Sequence, residues 1–389
     1  MSSDRFIPLS VPHIAGNEWA YVKECLDTGW VSSVGTFVDR FEREFASLVG
    51  SKAAVACSSG TAALHMALLI AGVEPGDEVV VSTLTFIAPA NAVVYLGAHP
   101  VFMDAEPRHW QMDINKLAAF LAEGCTHHAG ALRNKVTGRR VRAILPVHVI
   151  GHPCDLDAIG ELAAKYGLEI VEDATEALGS TYKGRAAGTM SRAGCFSFNG
   201  NKIITTGNGG MLVTNDLIAA QRAKYLTTQA KDEPIEYIHK AIGFNYRLSN
   251  TSAAIGVAQL EQLDEFVATK RRIAQRYDEA LRPIPGITLQ EQAAWANGNR
   301  WLYTIRIDEA RFGLGSREVL ARLAKTGIEA RPLWQPMHRS PAHAGAFAFQ
   351  CTEADRLTAE CLSLPCSVGL TETDQSRVIG QIEACQGRP

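Results

Sequence analysis

Short runs rich in Val and Ile alternate with helix-length stretches through the first 250 residues, and this alternation narrows the choice of fold more than any other feature. AAVACSSG leads into TAALHMALLIAG, and PGDEVVVSTLTFIAPANAVVYLG reads as a turn, a strand and a helix. AHPVFMDAE is another strand. VRAILPVHVIG is a strand followed by the helix CDLDAIGELAAKYG, with Asp155 or Asp157 as its cap. LEIVEDA, CFSFNG and GGMLVTND complete the series. Apolar strands separated by helices predict an α/β fold, a mainly parallel sheet flanked by helices on both faces. Ligands of such sheets lie beyond the carboxyl ends of the strands, so those ends are the places to search for chemistry.

The pattern changes near residue 250. From Ala254 to Leu281 the apolar positions Ile255, Leu260, Leu263, Phe266, Val267, Ile273, Tyr277 and Leu281 recur at helical spacing, which predicts one long amphipathic helix. Its Lys270-Arg271-Arg272 run reads as a solvated face. Two strand-like runs (GITLQE and RWLYTIRID), a helix around SREVLARLAKTG and a final helix follow. The predicted division is a large domain over 1–250 and a smaller α+β domain over 251–389, entered through the long helix.

A chain of 389 residues is long enough for two such domains. A net charge of -3 lacks the basic excess of a nucleic-acid binder and gives no reason to expect a membrane surface as partner. No apolar run approaches transmembrane length, and the opening residues lack the basic-then-apolar pattern of a signal peptide, so a cytoplasmic location is expected. The nine cysteines are scattered and form no Cys-x-x-Cys pair; they read as small buried apolar residues in a reducing compartment.

Four segments at strand ends carry chemically telling residues. In CSSGTAALHMALL a strand gives way to a helix through Ser-Gly-Thr. Free backbone N–H groups at a helix start suit an anion such as a phosphate: Gly60 would let the backbone come close and Thr61 would add a hydroxyl. An ordinary capped helix explains the same residues. In LEIVEDATEALGS, Asp173 follows an apolar strand, where a carboxylate is costly without a partner. A pyridinium nitrogen would serve. At about 4 Å and an effective dielectric near 20 such a pair is worth about 4 kcal/mol, or roughly three pKa units, enough to keep a pyridine ring protonated. A helix cap or a metal ligand is the plainer alternative. In FSFNGNKIITTGNGGMLV, Lys202 has no charged residue within nine positions on either side. A desolvated lysine loses proton affinity and becomes a nucleophile towards carbonyls. Ser197 could reach the same phosphate as Thr61. An exposed lysine in a Gly-rich loop is the alternative, but the order Asp173 then Lys202, each at its own strand end, favours chemistry. In TLTFIAPANAV, Phe86 could stack on a flat heterocycle or could be a core ring.

Together CSSGTAAL, VEDATEALGS, SFNGNKIITTGNGGM, GFNYRLSNTSAAIGVAQLEQLD, RPLWQPMH and LSLPCSVGLTETD resemble the DegT/StrS-type nucleotide-sugar aminotransferases, from about Ile7 to about Val378. The resemblance implies fold type I of the pyridoxal 5'-phosphate (PLP) enzymes, and a homodimer with the cofactor at the subunit interface. It makes 1–250 the PLP-binding domain. By the same resemblance Lys202 matches the imine-forming lysine and Asp173 the partner of the pyridine nitrogen. Phe86 matches the ring stacked on the cofactor, and Gly60, Thr61 and Ser197 match the phosphate cradle. Asn245 matches a residue reaching the phosphate from the other subunit. Arg247, Trp334 and His338 fall in segments near the substrate. Glu176 stands beside the cofactor ring, where many members have Gln or His.

Glu176 and SFNGNKIITTG resemble the branch that acts on carbon 4 of 4-keto-6-deoxy sugars. The expected reaction is transamination from glutamate to a nucleotide-linked keto sugar, giving a 4-amino sugar nucleotide for surface glycans such as lipopolysaccharide. The opening IPLSVPHIAGNEWAYVKECLDTGWVSSVGTFVDRFE resembles the group acting on UDP-2-acetamido-2,6-dideoxy-hexos-4-ulose in bacillosamine and legionaminic acid pathways. GDP-4-keto-6-deoxymannose, the substrate of perosamine synthases, is the alternative. A related dehydratase subset has His in place of the lysine, so Lys202 points to amino transfer.

Other classes fit less well. PVHVIGHPCDLD offers His148, His152, Cys154, Asp155 and Asp157 to a metal, but Gly151 and Pro153 break any helix that would align the histidines, so no metal is expected. A His at a strand end more often completes a hydrogen-bond network. There is no Gly-x-Gly-x-x-Gly between a first strand and helix, against a dinucleotide enzyme. A PLP-dependent sensor would carry an added DNA-binding segment, and none is visible.

Overall fold

The structure is a computed structural model and describes residues 6–233 and 235–386. Its centre is an eight-stranded sheet. Seven strands come from the first part of the chain: β1 (Ala53–Cys57), β2 (Glu78–Ser82), β3 (His99–Met103), β4 (Val141–Leu145), β5 (Glu169–Asp173), β6 (Ala193–Ser197) and β7 (Gly210–Thr214). The small sheet uses β8 (Ile287–Leu289), β9 (Tyr303–Ile307), β10 (Arg331–Pro332) and β12 (Cys361–Leu364). Between the last two, β11 (Phe347–Phe349) returns to the large sheet, which runs β1-β7-β6-β5-β4-β2-β3-β11. Only β7 lies antiparallel to its neighbours there; the other pairings are parallel. The small sheet is antiparallel, in the order β8-β9-β12-β10.

The strand pleat sorts side chains between two cores. Val55, Cys57, Val79, Val81, Val171 and Cys195 face the helix Gly60–Ile70, which is buried along nearly its whole length. Ala56, Phe196, Met211 and Val213 face the other way, into a core that continues through Phe41, Phe45 and Phe198 to the second unit. The rings of Phe41, Phe45, Phe196 and Phe198 meet edge-on or tilted, with centroids 5.0–6.0 Å apart. Each such ring contributes about 1.5–3 kcal/mol by leaving water.

Two expectations about the helical stretch after residue 250 need correction. It is two helices, Asn250–Leu260 and Leu263–Leu281, not one. At the break the Gln262 N–H turns to the Gln259 carbonyl, and its side-chain amide donates to Ala258 O and to Glu18. Glu261 accepts from Asn17 and Tyr21, so the N-terminal segment stitches the corner. Nor is the basic run all solvated. Lys270 is buried and donates to the carbonyls of Trp301 (2.7 Å) and Cys366 (2.6 Å). Arg271 donates to Gly179 and Gly298 carbonyls, and only Arg272 lies on an open face, paired with Glu265. Backbone carbonyls that no strand uses are the partners here, which charge patterning along a helix does not reveal. All nine cysteines are buried free thiols. Among the described residues no helix is long and apolar enough to cross a membrane.

Candidate active site

The parallel pair β5–β6 sets the site. Cys195 lies opposite Asp173 in register, β6 runs on two residues to Ser197, and the loops that follow the two strands open on one cavity. Asp173 is 2% exposed and accepts the Thr175 N–H at 3.0 Å; burial pushes its carboxyl above the ordinary range. After β6 the chain makes an excursion that Phe198 closes at both ends, through Gly209 O and the Thr206 N–H. Lys202 sits at the head of this loop, its N–H on Asn199 O.

The Lys202 Nζ lies 3.6 Å from Glu176 Oε1 and 3.9 Å from the centre of the Trp301 ring. The Trp301 indole N–H donates to Asn201 O at 2.6 Å, so one tryptophan both covers the lysine and pins the residue before it. Burial lowers the proton affinity of Lys202, against the pull of Glu176 and Asp173. Glu176 is 4% exposed; burial outweighs the attraction of Lys202 and raises its carboxyl to about 7. Its Oε2 accepts the Ile150 N–H at 2.8 Å, which leaves Oε1 to the lysine.

Opposite stands the start of the helix Gly60–Ile70. Ser59 caps it by accepting the Ala62 N–H at 3.1 Å. A Cβ on Gly60 would meet Ser197 Cβ at 2.8 Å, and one on Gly210 would meet Ser59 O at 2.3 Å. These glycines let the helix start press against β6 and β7, with its free N–H groups turned to the cavity. Phe86 is 54% exposed and presents an open ring face. The cavity measures about 360 Å³.

Gly60, Thr61, Phe86, Asp173, Glu176, Ser197, Lys202 and Trp334 all line it. Asn245, Arg247 and His338 do not. Asn245 is exposed, bridged through its backbone to Thr228. Arg247 is bridged to Cys57, and its Nε is buried without a partner. His338 is occupied: Nδ1 lies 2.8 Å from the Thr83 hydroxyl and Nε2 3.2 Å from Asp355. Trp301, Ser59, Thr85, Thr175, Asn199, Asn201 and Asn208 line the cavity without having been singled out. The asparagines flanking Lys202 were a usable signal; Trp301 comes from a strand-like run of the second unit and left none.

The His148 segment does not converge on a point. His148 bonds Glu172 and the Cys154 N–H, both at 3.1 Å, so it completes a hydrogen-bond network at a strand end. His152 takes the Ala293 N–H at 3.1 Å and donates to Pro153 O, and burial lowers it to about 4. Asp155 caps the helix Leu156–Tyr166, and Asp157 pairs with Lys183. Among the described residues no three His, Cys, Asp or Glu side chains group to hold a metal.

A lysine with weakened proton affinity, a buried carboxylate awaiting a cation, a glycine-lined helix start and an open aromatic ring suit the aldehyde, ring nitrogen, phosphate and flat face of PLP. Residues 12–383 match the DegT/DnrJ/EryC1/StrS aminotransferase family. The chain is 42% identical over 380 residues to a GDP-perosamine synthase from Caulobacter vibrioides, covering 97% of both chains. It is also 42% identical to EpsN of Bacillus subtilis, whose name describes a pyridoxal phosphate-dependent aminotransferase, over 96% of this chain and 94% of that one. DesV from S. venezuelae, solved in complex with a ketimine intermediate, superposes with a TM-score of 0.86 at 32% identity, over 96% of this chain and 95% of DesV. Of these relatives, the one from Caulobacter vibrioides is named for the GDP-linked alternative and not for the UDP-linked N-acetylated substrate expected from the opening residues. The chain belongs to the DegT/DnrJ/EryC1/StrS aminotransferase family and is a PLP-dependent sugar aminotransferase.

Proposed function

We propose that the protein transfers the amino group of glutamate to carbon 4 of a GDP-linked 4-keto-6-deoxy sugar, in the manner of a perosamine synthase. The observation that carries this is the 42% identity to a GDP-perosamine synthase over 97% of both chains. Bound PLP supplies an electron sink and a carrier for the amino group. The chain's own residues supply the rest. Lys202 holds the cofactor and then gives and takes the proton at the reacting carbon. Asp173 keeps the ring nitrogen charged. Gly60, Thr61 and Ser197 receive the phosphate, Phe86 covers the ring and Glu176 flanks it. Trp334, Arg247 and His338 belong to the substrate side, His338 through its hold on Thr83 and Asp355.

The active form in this proposal is a homodimer. Large apolar side chains stand open on the single chain, among them Trp19 (78% exposed), Ile235 (80%) and Ile242 (88%). Asn245 lies just after Ile242 in the chain and would reach the phosphate of a second copy. The cytoplasmic setting and the division into 1–250 and 251–389 belong to the same proposal, the second domain giving Trp301 and Trp334 to the cavity.

The test starts with the visible spectrum of the purified protein before and after glutamate. It continues with GDP-4-keto-6-deoxymannose and UDP-2-acetamido-2,6-dideoxy-hexos-4-ulose as competing acceptors, the products being weighed by mass spectrometry. A 4-amino product from the GDP sugar at the higher kcat/KM is expected. Preference for the UDP sugar would overturn the substrate reading and leave the amino transfer standing.

A further inference from the structure

We propose that Glu176 is the proton partner of Lys202: the two side chains share one proton across 3.6 Å, and Glu176 holds it whenever Lys202 must act as a free amine. The inference rests on the reading of Lys202 as the reacting lysine. In one state Lys202 is an ammonium facing a carboxylate. In the other an N–H bond has broken, an O–H bond has formed on Glu176 Oε1, and an amine faces a carboxylic acid. No other atom moves and no co-reactant is needed.

The geometry supports this at three points. Glu176 is fixed by the Ile150 N–H on Oε2, so Oε1 has no backbone donor and points at the amine. The separation is just beyond hydrogen-bond reach, and a small rotation of the lysine closes it. The Trp301 ring covers Lys202 on a second side, so bulk water is a poor competitor for the proton. In a largely buried site neither the charged pair nor the neutral pair is strongly preferred, because burial penalises both ions while their attraction offsets the penalty. The charged groups bearing on the pair are few. Asp173 acts on both members, and His148 acts on Asp173 from behind the strand end. Asp173 is committed to the ring nitrogen in the proposed function, so Glu176 is the carboxylate left to answer the lysine.

The experiment measures the proton affinity of Lys202 directly. Cofactor-free wild type, Glu176→Gln and Glu176→Asp are treated with acetic anhydride across a pH series, and Lys202 acetylation is quantified by peptide mass spectrometry. Circular dichroism confirms that each variant is folded. In Glu176→Gln the amide still accepts the Ile150 N–H, but the counter-charge is gone. The midpoint for Lys202 is then expected to fall by about one to three pH units, so that labelling at neutral pH is ten-fold faster or more. Turnover of the loaded enzyme should fall in the same variant. A more reactive lysine in a slower enzyme is a combination that loss of packing does not produce. Glu176→Asp should return the midpoint towards wild type. An unchanged midpoint in Glu176→Gln overturns the proposal, and so does an equal shift in both variants. A shifted midpoint with no product from either sugar nucleotide would sink the substrate reading and leave the pair intact.

Discussion

Asp173 and Trp301 face the same cavity and arrive there by different routes. Asp173 is delivered by the sheet: it is the last residue of β5, in register with Cys195 of β6, and it faces the cavity that the loop carrying Lys202 also lines. Trp301 is delivered by packing. It lies just ahead of β9, its carbonyl is held by the buried ammonium of Lys270, and its ring lies nearly parallel to that of Trp334, with centroids 6.2 Å apart. The first route writes chemistry into local order along the chain. The second writes it into contacts between residues some 30 to 100 positions apart, such as Trp301 with Lys270 and Asn201. Groups that react sit at the ends of the large sheet's strands or in the loop just beyond them, and the tryptophans that shield them come from the later part of the chain.

Mutation can break this contrast. The largest effect should come from Lys202→Ala, which is expected to abolish turnover while circular dichroism stays unchanged; normal activity would end the assignment of the sheet side. Asp173→Asn comes next. Losing an ion pair of about 4 kcal/mol should lower kcat by roughly a thousand-fold. A spectrum showing the bound cofactor with this loss in kcat would place the defect in chemistry rather than in binding. Trp301→Leu should do less. It removes a ring face over a desolvated ammonium, worth up to about 2 kcal/mol, and an indole hydrogen bond worth about 1 kcal/mol, so a ten- to hundred-fold loss in kcat is expected. If steady-state kinetics showed Trp301→Leu to be worse than Asp173→Asn, the division between reacting and shielding sides would be wrong.

The same contrast explains what could be read from the chain alone. The parallel sheet was legible because each strand is a separate apolar run with its own helix. The strand-end residues Gly60, Asp173, Ser197 and Lys202 were legible because topology alone brings those ends together. β11 was not, because FAF is three residues long and its partner lies some 250 positions earlier. The break at Gln262 was hidden because apolar spacing continues across it, while its cause lies in Glu18, Asn17 and Tyr21. The buried Lys270 reads as one member of a basic run until the carbonyls it serves are in place. The substrate was the least legible part: the opening segment resembles one branch, whereas a relative that matches over 97% of both chains is named for the alternative, a GDP-perosamine synthase.

The strand β11 has a mechanical consequence. It binds the far edge of the large sheet through β3, and Asp104, just past β3, then accepts the N–H groups of Thr352, Glu353 and Ala354 and pairs with Lys116. The later part of the chain is therefore fastened to the first part by more than the helix Leu263–Leu281: by this edge, by Ala296 and Asn297 paired with Tyr182 and Thr181, by Asn299 on the Glu176 and Leu178 carbonyls, and by Ile7 bridged to Ile328. A body held at several points cannot swing on one hinge, so access to the cavity cannot depend on that later part lifting away as a flap. The chain also cannot be trimmed at residue 250 without baring β3 as an open edge ready to pair with another molecule. Heat should melt both units together in one cooperative transition.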